Sequence, residues 1–223
     1  MEREVVTKEA KDFIKGKFGV DIEIEFVKDV DAPKRKAEIF KKYEKNEFPC
    51  GNGCFTAAAN GFPPLMLVSY NNNHLGWVDI FYHELQHAYD YFEIMNALGE
   101  LPKNFRVYTE YSAAGTGERY FQMAELGLSP TKKQIQDFSD FYKSGMVKTF
   151  RERQKTIIDV VVFLARCAEF TKIEGKWDAE LLNEIPHRDA LLDLGNFMNR
   201  YAPTKEWFAE FNKKIDKIPV KII

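Results

Sequence analysis

The chain has 223 residues, of which 45% are hydrophobic and 30% are charged, a balance typical of a globular domain with a sizeable core rather than a disordered chain. The formal net charge of −2 gives no electrostatic basis for binding nucleic acid or an anionic membrane surface. No apolar stretch has the length of a membrane span, and the N-terminus carries no apolar export signal. Because three cysteines without such a signal favour reduced thiols, we expect a cytoplasmic protein with neither a membrane nor a nucleic-acid partner.

The first elements predicted along the chain are two short helices with a strand between them. Residues 7–18 have the spacing of an amphipathic helix, residues 21–27 alternate apolar and acidic residues as a half-buried strand does, and residues 33–45 again favour a helix. Cys50 and Cys54 then enclose a Gly-rich segment. Because a zinc knuckle normally spaces its cysteines by two residues and uses them in repeated pairs, we interpret this segment as a tight hairpin turn rather than a metal site.

Two strand-like segments come next, at residues 54–59 and 65–70, and an Asn-Gly pair with two prolines joins them. Such prolines indicate an edge strand, because proline cannot donate a hydrogen bond to a neighbouring strand. An edge strand can pair with an extended peptide and hold the peptide backbone in place. We therefore predict that a peptide or protein substrate binds along an edge strand near Leu65–Tyr70.

A long helix is predicted over residues 76–97, after an Asn-rich capping segment that includes His74. The helix contains His83-Glu84-x-x-His87, the His-Glu-x-x-His pattern of zinc-dependent peptidases. Residues i and i+4 lie one turn apart on the same helix face, so both imidazoles can bind one cation. Glu84 is beside the first ligand, where a carboxylate can take a proton from water that the metal activates.

The two faces of this helix have different predicted roles. Its apolar residues fall on the side away from the histidines, so one face would pack on the core while the other lines a cleft. These apolar residues are Phe81, Leu85, Ala88, Phe92 and Met95. Asp90, three residues after the second histidine, is a candidate to orient a ligand imidazole; a solvated surface acid is the alternative interpretation.

The third metal ligand is expected from the next helix, at residues 104–126, because a catalytic zinc usually has three protein ligands. Two acids compete for this role. Glu110 has small neighbours on its own helical face, which allow a close approach of the two helices, whereas Glu118 has bulkier neighbours and a more surface-like setting. The small neighbours favour Glu110, but spacing alone does not decide between them. The neighbours of Glu110 are Ala113, Ala114 and Gly117.

The remainder of the chain is predicted to be helical. The helices are expected at residues 131–144, 146–171, 178–185, 187–201 and 203–216. The predicted fold class is therefore α+β: a small, mostly antiparallel sheet with an edge strand packed on the metal-binding helix, followed by a mainly α-helical C-terminal half. Residues 1–126 would form the metallopeptidase core, and residues 127–223 would pack on it as part of one compact unit.

These residues resemble the gluzincin metallopeptidases, and most closely the minimal core of the ImmA/IrrE type. The resemblance lies in His83-Glu84-x-x-His87 and in Glu110, which follows in the next predicted helix. Segment 109–113, Thr-Glu-Tyr-Ser-Ala, is similar to the Glu-x-x-Ala pattern of the ligand helix in that family. The resemblance implies Zn²⁺ as cofactor, two histidines and a glutamate as its ligands, and a zincin-type core over about residues 20–126.

Motif and resemblance together predict a zinc-dependent metallopeptidase. Glu84 would act as the general base and pass its proton to the leaving amine. Tyr111 and His187 are the candidates for a donor to the oxyanion of the tetrahedral intermediate. The alternative function is a non-catalytic regulatory or binding module on a zincin fold. The intact Glu84 favours the enzyme, because a purely structural metal site needs no general base.

Overall fold

The computed structural model describes most of the chain, with several gaps. The described residues are 2–43, 52–71, 75–127, 131–138, 140, 156–174 and 188–218. Several sequence predictions lie outside them: those for Cys50, His74 and His187, and the helix at residues 178–185.

The elements follow the predicted order, and most of their bounds differ from the predicted ones by a few residues. The first part of the chain forms α1 (Arg3–Phe18), β1 (Glu23–Lys28), α2 (Ala32–Lys42), β2 (Gly53–Thr56), β3 (Leu65–Tyr70), α3 (Gly76–Leu98) and α4 (Phe105–Leu126). The second part forms α5 (Ile157–Glu174), α6 (Arg188–Met198) and α7 (Lys205–Ile215), and residues 132–138 are also helical. None of the helices in the described ranges combines the length and the apolarity needed to cross a membrane.

The three strands form one mixed sheet in the order β1-β3-β2. β1 runs parallel to β3, and β2 runs antiparallel to it. The prediction of a mostly antiparallel sheet is therefore wrong for one of the two strand pairs. The α+β class itself is confirmed, with helices forming the larger part of the described chain.

The prediction of an edge strand at Leu65–Tyr70 is also wrong, because β3 is the central strand and is paired on both sides. Pro63 and Pro64 precede the strand and so remove no hydrogen bond from it; the Pro64 carbonyl accepts from the Glu23 N–H at 2.8 Å. Residues 65–69 are all buried. A continuous apolar run of this kind is typical of a strand covered on both faces.

Helices cover the two faces of the sheet because the side chains of β3 alternate between them. On one face Leu65 and Leu67 pack with Ile39 and Phe40 of α2. On the other face Met66 and Val68 pack with α1 and α3 in a second core cluster. The members of that cluster on the helices include Val6, Ile14, Val78, Phe81 and Phe92. The sheet thus holds α3 in place through the helix face that carries Phe81, as the apolar pattern predicted.

β2 is an edge strand of the sheet, and it lies against α3. The Asn52 carbonyl accepts from the Ser69 N–H at 2.9 Å, which makes this pair a hydrogen-bonded one. Because the pattern alternates in an antiparallel ladder, Cys54 and Thr56 direct their backbone groups toward β3, while Gly53 and Phe55 direct theirs away from it. The outer edge of the sheet at β2 is therefore formed by Gly53 and Phe55.

A third core cluster joins α4 to the C-terminal helices. Val107 and Tyr108 of α4 are buried against residues of α5, α6 and α7. Among their partners are Val161, Leu164, Leu194, Trp207, Phe208 and Phe211. The C-terminal half therefore packs directly on the helix that carries Glu110.

Candidate metal centre

His83 and His87 lie one turn apart on α3, and their Nε2 atoms are 3.0 Å apart. Glu110 reaches them from α4, with its Oε2 atom 3.6 Å from His83 Nε2 and 3.9 Å from His87 Nε2. Each of the three side chains is partly open to solvent. Within the described part of the chain, this is the group of His, Cys, Asp and Glu side chains whose ligand atoms lie close enough together to hold a metal ion.

The spacing of the three ligand atoms fits a tetrahedral cation. Two ligands bound at about 2.1 Å from a tetrahedral centre lie about 3.4 Å from each other. The observed separations of 3.0, 3.6 and 3.9 Å bracket that value. Two imidazoles and one carboxylate are also a donor set used by catalytic zinc sites, which leave a position for water. The residues present therefore suit zinc in both geometry and chemistry.

The close approach of α4 to α3 is what brings Glu110 to the histidines. A Cβ atom at Gly117 would lie 2.3 Å from Asp79 Oδ1 and 3.2 Å from His83 Cβ. Ala113 and Ala114 are completely buried on the same side of α4. Because the small side chains allow this approach, a carboxylate on α4 can reach a point between two imidazoles on α3.

Glu118 is not part of this group. It is fully buried, not surface-like as its neighbours in the sequence suggested. Its carboxylate accepts from the Gln122 amide at 2.9 Å and lies 3.8 Å from Arg166 Nε of α5. Glu118 thus belongs to a network of hydrogen bonds and ion pairs that connects α4 to α5. We therefore assign it a structural role.

Asp90 contacts the centre through a residue that sequence analysis missed, Thr109. The Asp90 carboxylate is buried, with 1% exposure, and accepts from the Thr109 hydroxyl at 2.9 Å and from the Gln86 amide at 2.7 Å. Thr109 Oγ1 is also 2.8 Å from His87 Nδ1. A polar residue directly before Glu110 on α4 was the available signal, but its partners are on another helix.

This chain of hydrogen bonds sets the tautomer of His87 when Asp90 is ionised. Burial raises the pKa of Asp90 to about 7, and the hydrogen bonds from Gln86, Thr109 and Ser112 oppose that rise. The ionised carboxylate can only accept, so the single hydroxyl proton of Thr109 then goes to Asp90. The Thr109 oxygen must then accept from His87 Nδ1–H. His87 Nε2 is left with its lone pair directed toward His83 and Glu110, which is the form that binds a metal.

The pKa shifts of the three candidate ligands agree with this arrangement. Burial and the neighbouring His83 lower the pKa of His87 to about 3, so its imidazole is neutral. Burial lowers the pKa of His83, but the hydrogen bond with Glu110 and the nearby carboxylates outweigh burial and raise it. Burial raises the pKa of Glu110, but the hydrogen bond with His83 and electrostatic interactions with the neighbouring histidines lower it below its usual range. Glu110 is therefore a carboxylate that a cation can bind.

Glu84 is buried beside the same group, with 6% exposure. Burial raises its pKa to about 7, the His83 charge lowers it, and the Glu110 charge raises it again. The backbone of Phe55 favours the ionised form of this carboxylate and so also lowers its pKa. A carboxyl group with a pKa near neutrality can both accept and release a proton under cellular conditions.

Two further residues of α4, Tyr111 and Arg106, are close to Glu110 in the sequence. The Tyr111 hydroxyl donates to Asn199 Oδ1 at 3.1 Å, beside α6, so the structure does not bring it to the metal ligands. Arg106, which the sequence analysis did not single out, has its Nε atom 3.9 Å from Glu110 Oε1. It lies one helical turn before Glu110, and its side chain is exposed.

A separate cavity of about 340 Å³ lies between α1, α3 and α4. Its walls include Phe13, Tyr82, Tyr120 and Gln86, and none of the three candidate metal ligands lines it. The Gln86 carbonyl accepts from the Thr116 hydroxyl at 3.1 Å while its amide donates to Asp90. The cavity is therefore adjacent to the residues that support the centre but is not the centre itself.

Comparison of the chain with protein-family models, with curated proteins and with solved structures gave no match. The resemblance to gluzincins consequently stays a prediction. The interpretation of the centre depends on the distances, burial and hydrogen bonds described above.

Proposed function

We propose that this chain is a zinc-dependent metallopeptidase of the gluzincin type. His83, His87 and Glu110 bind zinc, and Glu84 is the general base. One observation carries the proposal: two imidazoles and one carboxylate, supplied by two different helices, converge within 3.9 Å of one another. A buried glutamate that no ligand set requires lies directly beside them, which favours catalysis over a purely structural site.

Zinc at these residues would supply Lewis acidity toward a water molecule and toward a substrate carbonyl. The other functions belong to the chain itself. Glu84, with a pKa of about 7, takes a proton from the attacking water and delivers it to the leaving amine. Asp90 and Thr109 hold His87 in the tautomer whose Nε2 is free to bind.

The substrate class that we propose is a peptide or an unfolded protein segment. Such a chain would bind in extended form along the outer edge of β2, through the backbone groups of Gly53 and the Phe55 carbonyl, which are directed away from β3. This edge lies next to Glu84, since a Cβ atom at Gly53 would be 2.5 Å from Glu84 Oε1. An extended chain at β2 would therefore pass close to the general base.

The replacement Glu84→Gln tests this function. Gln keeps the size of the side chain and leaves all three ligands in place, so we expect zinc content equal to wild type. Because an amide cannot accept the proton, peptide cleavage should fall by about 10²- to 10⁴-fold. Zinc content and cleavage of an unbiased peptide library would be measured together, with the exposed Glu100→Gln as the matched control.

Equal cleavage by wild type and Glu84→Gln would remove Glu84 from the mechanism and indicate a contaminating peptidase. Stoichiometric zinc without cleavage of any library peptide by the wild type would instead favour the non-catalytic module.

A further inference from the structure

Gly53, in the edge strand β2, lies directly against the general base proposed above. A Cβ atom at this position would be 2.5 Å from Glu84 Oε1, 2.6 Å from Glu84 Cγ and 2.8 Å from Ile80 Cγ2. Real Cβ atoms essentially never approach other heavy atoms more closely than 3.0 Å. The absence of a side chain at residue 53 is therefore what gives the Glu84 carboxylate its space.

The requirement at Gly53 is for space and not for an unusual backbone conformation. The glycines with positive φ in the described chain are Gly19, Gly61, Gly99 and Gly127, and Gly53 is not one of them. Its backbone is that of an ordinary strand paired with Val68. An L-residue could adopt this conformation, so contact with Glu84 and Ile80 remains as the obstacle.

The strand cannot easily move away to make room. Phe55, two residues after Gly53 and on the same face, packs on α3 with ring centroids 5.7 Å from Tyr91 and 5.9 Å from Phe92. The opposite side of β2 is hydrogen-bonded to β3 over its whole length. Both attachments fix the distance between β2 and α3, so a new side chain at residue 53 would displace Glu84 instead.

We propose that the space left by Gly53 forms a recess that sets the position of the Glu84 carboxylate, and that Gly53 is a positioning residue for catalysis. We call this group the Glu84 recess; it consists of Gly53 and Ile80. Its catalytic meaning rests on the peptidase function proposed above. Its structural content, the mutual exclusion of a side chain at residue 53 and the Glu84 side chain, does not.

The replacement Gly53→Ala tests the recess. A displaced Glu84 leaves His83, His87 and Glu110 untouched, so zinc affinity should stay within about twofold of wild type. A displacement of about 1 Å can reduce turnover by roughly 10²-fold, and we expect kcat to fall by that order while KM changes little. The readouts are a zinc competition titration and the cleavage kinetics of a peptide that the wild type cleaves.

Gly115→Ala is the matched control for the same chemical change. A Cβ atom there would be 3.6 Å from Glu169 Oε1 and 3.9 Å from Ala165 Cβ, which are ordinary contacts. We expect Gly115→Ala to bind zinc and to cleave the peptide like wild type.

A double-mutant cycle with Glu84→Ala, measured by thermal unfolding, separates the recess from the catalytic function. Gly53→Ala should lower the unfolding midpoint of the wild type by several degrees. In the Glu84→Ala background this decrease should be at least halved, because the two closest contacts of the new Cβ atom are gone. If Gly53→Ala alone fails to fold, Gly53→Ala with Glu84→Ala should restore a folded, zinc-binding protein.

The outcomes distinguish two kinds of failure. If wild type cleaves no peptide but the two positions are coupled in the double-mutant cycle, the peptidase function is wrong and the recess stands. If Gly53→Ala cleaves like wild type, or lowers the unfolding midpoint equally in both backgrounds, the recess is overturned. A double variant that does not regain its fold overturns it as well.

Discussion

His87 uses its two ring nitrogens for different purposes. Nδ1 is 2.8 Å from the Thr109 hydroxyl, while Nε2 faces His83 and Glu110. A ligand imidazole that can rotate or change tautomer loses affinity for its metal, and hydrogen bonds behind the ligand prevent this. Here the buried Asp90 accepts from the Thr109 hydroxyl, and that hydroxyl contacts His87 Nδ1. We therefore expect the zinc affinity of the centre to depend on a hydroxyl that does not itself bind the metal.

The near-isosteric replacement Thr109→Val removes that hydroxyl. His87 Nδ1–H then has no acceptor and Asp90 loses a donor. We expect zinc affinity to fall by about 10- to 100-fold, because His87 is no longer held in one tautomer. The measurement is a competition titration with a chromophoric chelator.

Thr7→Val is the matched control, since the Thr7 hydroxyl donates to the Arg3 carbonyl within α1. Zinc affinity within twofold of wild type in Thr109→Val would show that the hydrogen bond does not support His87.

The residues of the centre differ in how far the sequence could predict them. His83, Glu84 and His87 lie in one short motif, so their proximity follows from helix geometry alone. Glu110 could be ranked above Glu118 because its neighbours are small. The role of Thr109 could not be predicted, because it depends on which face of α4 meets α3, and that is decided by packing between helices.

At the scale of elements, the centre depends on one contact between two helices. Gly117 on α4 lies against the backbone and side chain of Asp79 on α3, close to His83. Glu110, the proposed metal ligand, and Thr109, whose hydroxyl contacts His87, are both on α4, seven and eight residues before this glycine. The distance between α3 and α4 at Gly117 therefore controls both of them.

Gly117→Ala should separate these helices. In an unobstructed helix the change from Gly to Ala stabilises by about 1 kcal/mol, but here the new Cβ would lie 2.7 Å from the Asp79 carbonyl oxygen. We expect a lower thermal unfolding midpoint and weaker zinc binding, because α4 moves away with its ligand. Both would be measured beside Gly115→Ala, whose new methyl group has room.

An unfolding midpoint and a zinc affinity in Gly117→Ala equal to or higher than those of Gly115→Ala would contradict this account of the contact.

The positions of the strands were harder to predict than their existence. Strand-like segments were recognised near β1, β2 and β3, but the order β1-β3-β2 was not, because order in the chain does not fix order in a sheet. Pro63 and Pro64 were interpreted as signs of an edge strand, but the apolar run from Leu65 to Val68, which that prediction did not use, is typical of a strand covered on both faces. The apolar run was the better guide, since both prolines precede the strand.

On the scale of the whole molecule, the centre joins two separate hydrophobic cores. α3 packs on the sheet through Val78 and Phe81, and α4 packs on the C-terminal helices through Val107 and Tyr108. The C-terminal half was predicted as a support for the metal-binding part. Its described helices do contact α4, so a loss of packing there would change the position of Glu110.

Ion pairs add a second connection between the same parts. Arg166 of α5 lies 3.3 Å from Asp79 of α3 and 3.8 Å from Glu118 of α4. Arg119 donates twice to the buried Glu169, at 3.1 Å each. Loss of the arginine partner would leave the buried carboxylate of Glu118 or Glu169 without its charge partner, which is destabilising. We therefore assign these two acids to stability and not to metal binding.

Zinc should stabilise the whole chain, because a ligand that binds only the folded state shifts the folding equilibrium. At a free zinc concentration about 1,000 times Kd this amounts to about 4 kcal/mol. The gain should be smaller in any variant whose ligand set is incomplete.

The most direct measurement is zinc affinity, with the unfolding midpoint in excess zinc and in chelator, for wild type, Glu110→Ala and Glu118→Ala. Wild type should bind one zinc ion per chain and unfold at a higher temperature with zinc. Glu110→Ala should bind zinc far more weakly and lose most of that shift, whereas Glu118→Ala should be less stable but keep both the affinity and the shift. Zinc binding that survives in Glu110→Ala and disappears in Glu118→Ala, or that is absent from wild type, would contradict the assignment of the metal centre.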